Sequence, residues 1–529
     1  MNSMNLEEFS EELVELIERG VVSDRHSLNA WKARLAKKHA LDSMPSNPDI
    51  LSACGRVSEK VHSLLCKKPV RSMSGVVVVA AMVPPHECPG KCIYCPSSQV
   101  DTGTPKSYTG REPATMRAIQ AGFDAGIQVR ERLRQLAESG HSLSKAEFIV
   151  MGGTLFSQSR AFREKFMLSA LNAFTDRKAK SIEAARRYAE HSKTRIVGIT
   201  FETRPDYCSR RDVSSMLFYG GTRCELGVQV LSDSAYKRIK RGHTVNDVAI
   251  ATANLRNAGF KVLYHTMPGL PGVSLKEDLA SFKKMFEDER FKPDMLKIYP
   301  CLVIKGTGLY KEFLKGNYAP LDEKKAVKLI LRVKEIVPRW VRIMRIQRDI
   351  PSQLIEAGVK KSNLRQLVEM EMQKQGKKCK CIRCREAALK SYKTGQLFDA
   401  GKARLFIEEY AASGGVERFI SLEDKKRQAL FGYCRLRVPE HSYRKEIGSS
   451  AAIVRELRVF GEPLLLGERK EKALQHHGLG ARLFLEAERV SRSEFGRKKL
   501  VVIAGLGVRE YYRKMFGCRT DGLYVSKSL

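Results

Sequence analysis

The sequence predicts an α/β protein: an open or partly closed barrel of βα units, then a second, smaller α/β unit, with a basic helical region in front. Two observations carry this. Seven short β-branched or apolar runs (Val76–Met82, Glu147–Met151, Arg195–Phe201, Glu225–Gln229, Lys261–Met267, Met295–Tyr299 and Val341–Ile346) alternate with longer stretches of helical periodicity, the pattern of parallel βαβ units. The chain's 529 residues also exceed one domain. After about residue 400 a fresh pattern begins, with strands Ala429–Arg437, Ile453–Phe460 and Leu500–Ala504 around a glycine-containing helix start.

Taken in order, residues 1–70 read as amphipathic helices, with Leu6, Phe9, Leu13 and Leu16 on one side and many Lys and Arg elsewhere. Residues 71–350 hold the barrel. Ligands gather at the C-terminal rim of such barrels, and glycine-rich or charged turns follow the strands there: Gly152-Gly153, Glu202-Thr203-Arg204-Pro205 and Pro268-Gly269-Leu270-Pro271-Gly272. Residues 351–398 form a charged connector, and residues 399–529 the last unit.

Lys and Arg total 94 against 59 Asp and Glu, a formal charge of +35, which suits a polyanion and makes nucleic acid the leading partner class. No apolar run is long enough to span a membrane, and the acidic N-terminus is unlike a secretory signal, so a cytoplasmic location is expected. Thirteen cysteines fit that location because six fall in two tight clusters, which in a reducing compartment read as metal sites.

The first cluster is Cys88, Cys92 and Cys95, spaced C-x3-C-x2-C directly after the first strand. Three thiolates can hold a 4Fe–4S cluster and leave one iron open; a structural zinc site is the plainer reading. The second is Cys379, Cys381 and Cys384 in the connector, soft ligands suited to zinc, with Cys301, Cys434 or a histidine as candidate fourth ligand. In the last unit, Gln475-His476-His477-Gly478-Leu479-Gly480-Ala481 places glycines at a helix start, where free N–H groups face phosphate. Tyr511 and Tyr512 follow; they are core aromatics or, beside a thioester, proton donors to a departing thiolate.

These motifs carry a resemblance. The C-x3-C-x2-C loop with Tyr94 before its last cysteine resembles that of radical S-adenosylmethionine enzymes, whose open iron chelates the cofactor. Gly152-Gly153-Thr154 stands where many members carry Gly-Gly-Glu; the acid is absent, leaving a backbone role or a plain turn. The Gln475–Ala481 stretch, matching Q/R-x-x-G-x-G/A, resembles the pyrophosphate loop of GCN5-related N-acetyltransferases. The pairing of the two, with Ser107-Tyr108-Thr109-Gly110-Arg111-Glu112-Pro113, Glu225-Leu226-Gly227-Val228-Gln229 and Val454-Arg455-Glu456-Leu457, resembles the catalytic subunit of Elongator, a tRNA wobble-uridine acetyltransferase family, in its archaeal and bacterial form with the short C-P-G-K-C loop.

That resemblance implies a 5′-deoxyadenosyl radical that takes hydrogen from the acetyl group of acetyl-CoA, and a carbon radical that adds to C5 of the wobble uridine to give carboxymethyluridine. It implies acetyl-CoA contacts at Lys145, Glu456, Leu457, Arg458, Val459, Leu479, Gly480, Ala481 and Tyr512, with Gln475 and Gly478 in the loop and Gly152 and Gly153 near S-adenosylmethionine. Glu456 is either ordinary strand or a base that activates water. The tRNA anticodon stem-loop is the expected partner; a homodimer or accessory subunits are left open. The alternative is a protein lysine acetyltransferase whose iron–sulfur cluster is structural.

Overall fold

The computed structural model describes residues 3–55, 57–65, 75–96, 103–460 and 478–529. Four helices come first: α1 (Ser3–Glu18), α2 (Arg25–Lys38), α3 (Asn47–Ala53) and α4 (Glu59–Leu65). Phe9, Leu13 and Ile17 recur about one turn apart and bury against Leu28, Leu35, Ile50 and Val61, a core separate from the rest. Asp24 and Ser46 cap α2 and α3, each accepting a hydrogen bond from the backbone N–H three residues on.

The barrel strands are β1 (Val77–Met82), β2 (Lys145–Met151), β3 (Arg195–Thr203), β4 (Gly221–Gln229), β5 (Lys261–Thr266), β6 (Met295–Ile298) and β8 (Arg342–Ile346). They form one parallel sheet in the order β1-β2-β3-β4-β5-β6-β8, as the seven runs predict; β1 and β8 are its two edges, so the barrel is open. Two short strands, β7 (Val303–Ile304) and β9 (Ile355–Ala357), pair apart from it. Alternate residues, among them Val79, Phe148, Phe201, Leu226 and Tyr264, pack outward under the helices. Residues of the stretch 351–398 join the same core through Leu364, Val368, Met372 and Cys381. Among the described residues no helix is long and apolar enough to cross a membrane.

The last unit is a second sheet: β10 (Arg404–Ala411), β11 (Gly415–Glu423), β12 (Leu430–Pro439), β13 (Ala451–Val459), β14 (Lys499–Val502), β15 (Arg519–Asp521) and β16 (Tyr524–Ser528), ordered β10-β11-β12-β13-β14-β16-β15. Its one parallel pair is β13–β14, joined only over Ala451–Val454. Beyond that the strands part, leaving Arg455–Val459 unladdered on that side. A β-bulge opposite Arg435 and Leu436 leaves Arg455 outside the β12 register and turns its side chain into the interface.

This unit docks on the N-terminal ends of the barrel strands. Arg455 donates to Asp294 Oδ1 and Oδ2 (2.7 and 2.8 Å), to Glu417 (2.9 Å) and to the Phe260 carbonyl (2.7 Å), with every side chain buried. Arg256, Arg435 and Arg437 complete the lattice around the same two carboxylates. Gly505 packs so tightly on β3 that a Cβ there would lie 2.2 Å from the Val197 carbonyl oxygen. Tyr524 donates to the Ala258 carbonyl (3.0 Å).

Candidate active site

Cys88, Cys92 and Cys95 lie on the loop that leaves β1 at the C-terminal rim. The loop is pinned from both sides: Ile93 N–H donates to the Ile239 carbonyl (3.1 Å), and Leu309 N–H to the Ile93 carbonyl (2.7 Å). Cys92 is buried, and Arg241 Nη1 donates to its sulfur at 3.5 Å while Nη2 donates to the Gly227 carbonyl. Tyr94 is buried beside it, its phenol kept protonated by burial. Gly90 packs against Arg204, so that a Cβ there would lie 2.1 Å from Nη1 and push the guanidinium aside. Asp206 in turn holds Arg204 by two 2.8–2.9 Å hydrogen bonds. Cys88 opens onto a recess of about 470 Å³ with His86, Ser157 and Tyr207.

Gly152 and Gly153 both take left-handed backbone, φ +100° and +113°, and bring the end of β2 against Met82 and His86. This is the geometry by which a backbone approaches a ligand closely. The three loop thiolates and this bare backbone at one rim fit a cluster with an open iron.

The concave face of the sheet is charged. The ladder registers place Ala80, Ile149, Thr200, Arg223 and Lys261 in one row and Glu202, Glu225, Leu263 and Met295 in the next. Glu225 is fully buried; Lys297 pairs with it, and His265 Nε2 lies 2.7 Å from its Oε2. Burial opposes its ionised form, yet Lys297, His265 and Arg223 outweigh burial and hold the carboxyl below its ordinary range. Arg223 also pairs with Glu147, and Tyr108 donates to Glu202 (3.0 Å). Glu202, Glu225 and His265 stand within reach of a metal ion, but Lys297 already lies against both carboxylates and supplies the cation.

In the last unit the helix Leu479–Arg489 starts at Gly478, φ +66°, facing the free flank of β13. A Cβ on Gly480 would meet the Tyr511 hydroxyl at 3.1 Å and Val459 Cγ2 at 3.7 Å, so the loop glycine, the strand end and the tyrosine pair converge. Tyr512 is buried between Phe484 and Phe516, and burial raises its phenol well above the usual value. Leu457 and Val459 face the helix. Glu456 is ion-paired with Arg435 at 3.0 Å; against burial, Arg435, Lys261 and Arg458 keep it ionised. Such a carboxylate orients neighbours better than it accepts protons. Gln475 lies outside the described residues.

Lys145 opens β2, at the end opposite the glycine pair and next to the docked unit: it pairs in register with Arg195, against which Gly507 packs. Burial and the nearby Arg195 lower its ammonium pKa. The sulfurs of Cys379, Cys381 and Cys384 lie within 4.8 Å of one another, close enough for one ion. Cys301 packs near Tyr318 at the rim and Cys434 in the last unit's core, so neither joins them. Arg241, Glu225, Lys297 and His265 are additions to the residues singled out from sequence. For Lys297 the signal was a charged residue inside an apolar run, Met295-Leu296-Lys297-Ile298; Arg241, in Lys237-Arg238-Ile239-Lys240-Arg241-Gly242, had no such signal.

Comparison with known proteins supports the radical S-adenosylmethionine barrel and places the whole chain beside named relatives. Family models described as "Radical SAM superfamily", "Radical_SAM C-terminal domain" and "ELP3 N-terminal domain" match residues 82–284, 293–374 and 6–73. The tRNA uridine(34) acetyltransferase of Methanocaldococcus infernus is 47% identical over 490 residues, 92% of each chain. That of Methanocaldococcus jannaschii is 45% identical, covering 98% of this chain and 97% of its own. Elongator complex protein 3 of Homo sapiens is 41% identical, covering 98% and 95%. The solved archaeal Methanocaldococcus infernus Elp3 with an N-terminal deletion superposes with a TM-score of 0.77 at 43% identity, over 86% of this chain and 100% of that one. With helices, barrel and last unit all covered by these relatives, the chain belongs to the Elongator protein 3 family of radical S-adenosylmethionine acetyltransferases.

Proposed function

We propose that the protein carboxymethylates C5 of the wobble uridine of tRNA, using acetyl-CoA as the carbon source. The observation that carries this is the docking itself: the acyl-CoA crevice along β13 and the rim holding Cys88, Cys92 and Cys95 belong to one body, joined through Arg455, Asp294 and Glu417. The relatives named tRNA uridine(34) acetyltransferase supply the substrate.

Held by Cys88, Cys92 and Cys95, a 4Fe–4S cluster with one open iron would supply one-electron reduction to S-adenosylmethionine bound at the rim. Arg241 orients Cys92, Tyr94 shields it from water, and the bare Gly152-Gly153 backbone admits the cofactor. In the last unit the free flank of β13 over Glu456–Val459 offers backbone groups to the amides of acetyl-CoA, and Gly478–Ala481 offers helix N–H groups to its pyrophosphate. Tyr512, protonated at all working pH, donates to the departing thiolate. The basic helix α2 and the lysines near Cys379 bind the anticodon stem-loop.

The test is anaerobic incubation with dithionite, S-adenosylmethionine, acetyl-CoA and tRNA, reading 5′-deoxyadenosine and nucleoside masses. Carboxymethyluridine formed together with deoxyadenosine supports the reading; acetyl transfer to a basic peptide without tRNA, and no deoxyadenosine, supports a protein acetyltransferase instead. Tyr512→Phe is expected to slow tRNA-dependent release of coenzyme A by about 10²–10⁴-fold, read by thiol titration, with acetyl-CoA binding retained. We also assign zinc to Cys379, Cys381 and Cys384: metal analysis should find one zinc per chain, lost with its share of thermal stability in Cys381→Ser.

A further inference from the structure

The cysteine loop borders two recesses that share Pro89. The one that opens onto Cys88 has Glu87 in its wall and no lysine or arginine. The other, of about 710 Å³, is lined by Lys91 of the loop itself and by Asp233, Lys237, Lys240, Gly242 and His243. Its cations are uncommitted: among the described residues the Lys91, Lys237 and Lys240 side chains are exposed and make no ion pair. Asp233, the one acid in the wall, accepts the Val245 N–H at 2.8 Å.

Behind these lysines lie buried polar groups with nothing to bind. His243 lines the recess at 3% exposure, and neither ring nitrogen has a hydrogen-bond partner; Asp206 Oδ1 is 4.0 Å from Nδ1, beyond hydrogen-bond reach. Burial, with Arg241 and Arg204 close by, keeps the imidazole neutral, so it retains one N–H to donate. Arg204 Nη1 is likewise buried and unpartnered, and its guanidinium stands directly behind Gly242, where a Cβ would lie 3.3 Å from Nη2. Buried donors left without partners are costly, and each calls for an explanation such as a ligand that completes it.

We propose that this recess is a phosphate site that holds the backbone of the anticodon nucleotide next to the wobble uridine. This rests on the tRNA reading above. Three ammonium groups against one carboxylate, with orphaned donors behind them, select an anion, and the volume takes a nucleotide-sized group. Its place selects which one. Lys91 precedes Cys92 in the chain, and Arg241, which donates to the Cys92 sulfur, lies between Lys240 and Gly242 of the recess. A uridine whose C5 reaches the rim brings its flanking phosphates to the same loop. Phosphate contacts of this kind fix register and leave the base free to turn inward. Glu87 repels the same group, so the charge difference across Pro89 decides on which side of the loop the backbone lies.

Binding of an anticodon stem-loop to the full-length protein over a range of salt tests the site. With Lys237→Ala and Lys240→Ala combined, the slope of log affinity against log salt should flatten by about 1.4, at about 0.7 for each single-strand phosphate charge neutralised. Both side chains are exposed, so their loss spares the fold. A second stem-loop, with one uncharged methylphosphonate linkage beside the wobble uridine, identifies the phosphate. Weaker binding of that RNA by the wild type, with the double variant binding both RNAs alike, supports the site. An unchanged slope in the variant, or equal binding of the two RNAs by the wild type, overturns it. Weaker coenzyme A binding in the variant with stem-loop binding intact would give the recess to a phosphate of the coenzyme and overturn the tRNA subsite. Binding is read without turnover, so a wild-type protein that meets these expectations yet makes no carboxymethyluridine overturns the reaction and keeps the site.

Discussion

Cys92→Ser is expected to abolish 5′-deoxyadenosine formation and carboxymethyluridine together. Cys92 is the most enclosed of the three loop thiols and the one that Arg241 addresses, so no water can replace it as a ligand. A serine hydroxyl keeps the volume but not the soft, readily ionised donor that iron–sulfur clusters require. The measurement is iron and sulfide content, with the visible absorbance of the anaerobic protein, followed by cofactor cleavage with dithionite. Acetyl-CoA binding should survive, because the loop and β13 stand at opposite ends of the barrel strands and share no side chain. Cleavage at the wild-type rate would remove Cys92 from the ligands of the cluster. Arg241→Ala, which leaves the ligand and removes only its hydrogen-bond donor, should cost about 10–100-fold in cluster retention or activity.

Arg455→Met should destabilise the protein by about 3–5 kcal/mol. The side chain is fully buried, and it is the one cation that hydrogen-bonds both Asp294 and Glu417. Its removal leaves two carboxylates in an apolar interface with Arg256, Arg435 and Arg437 as remaining partners. Denaturant unfolding of the variant measures the loss; a change below about 1 kcal/mol, the size of an exposed pair, would contradict the assigned role. The same lattice sets a pH dependence. Burial acts to raise the carboxyl of Asp294, but Arg455, Arg256 and Arg435 lower it well below the ordinary value, and Glu417 is lowered in the same way. A depressed carboxylate contributes stability that is fully present above its unfolded pKa, about 4, and is lost as pH falls toward the folded value. The wild-type protein should therefore lose stability steeply below about pH 4, and Arg455→Met less steeply.

Much of the catalytic layout is legible in the sequence because it is local. The seven barrel runs keep their place and order, since β-branched residues between amphipathic helices have few other solutions. Cys88, Cys92 and Cys95 announce themselves by spacing alone, and Gly478 and Gly480 by their position before an amphipathic helix. What stays hidden depends on residues far apart in the chain. Arg435, Arg437 and Arg455 look like the solvated face of two strands, and become buried only because Asp294 lies across the interface, more than a hundred residues away. Lys145 is close to Gly152 in sequence, but an extended strand puts about 20 Å between them, so one stands beside the docked unit and the other at the rim. The β10 and β11 strands escape notice for a different reason: Arg404–Ala411 is half exposed and mixes acids with aromatics, giving no clean alternation.

The shared apolar core carries a consequence for how the molecule comes apart. Ile453, Val501, Ile503, Leu506 and Tyr524 of the last unit belong to the same cluster as Phe148, Phe201 and Tyr264 of the barrel, whereas Phe9, Leu13 and Leu35 of the N-terminal helices belong to their own. The boundary of cooperativity therefore does not fall between barrel and last unit. The two are expected to melt together, and neither can be separated without exposing an apolar face, whereas the N-terminal helices keep a core of their own.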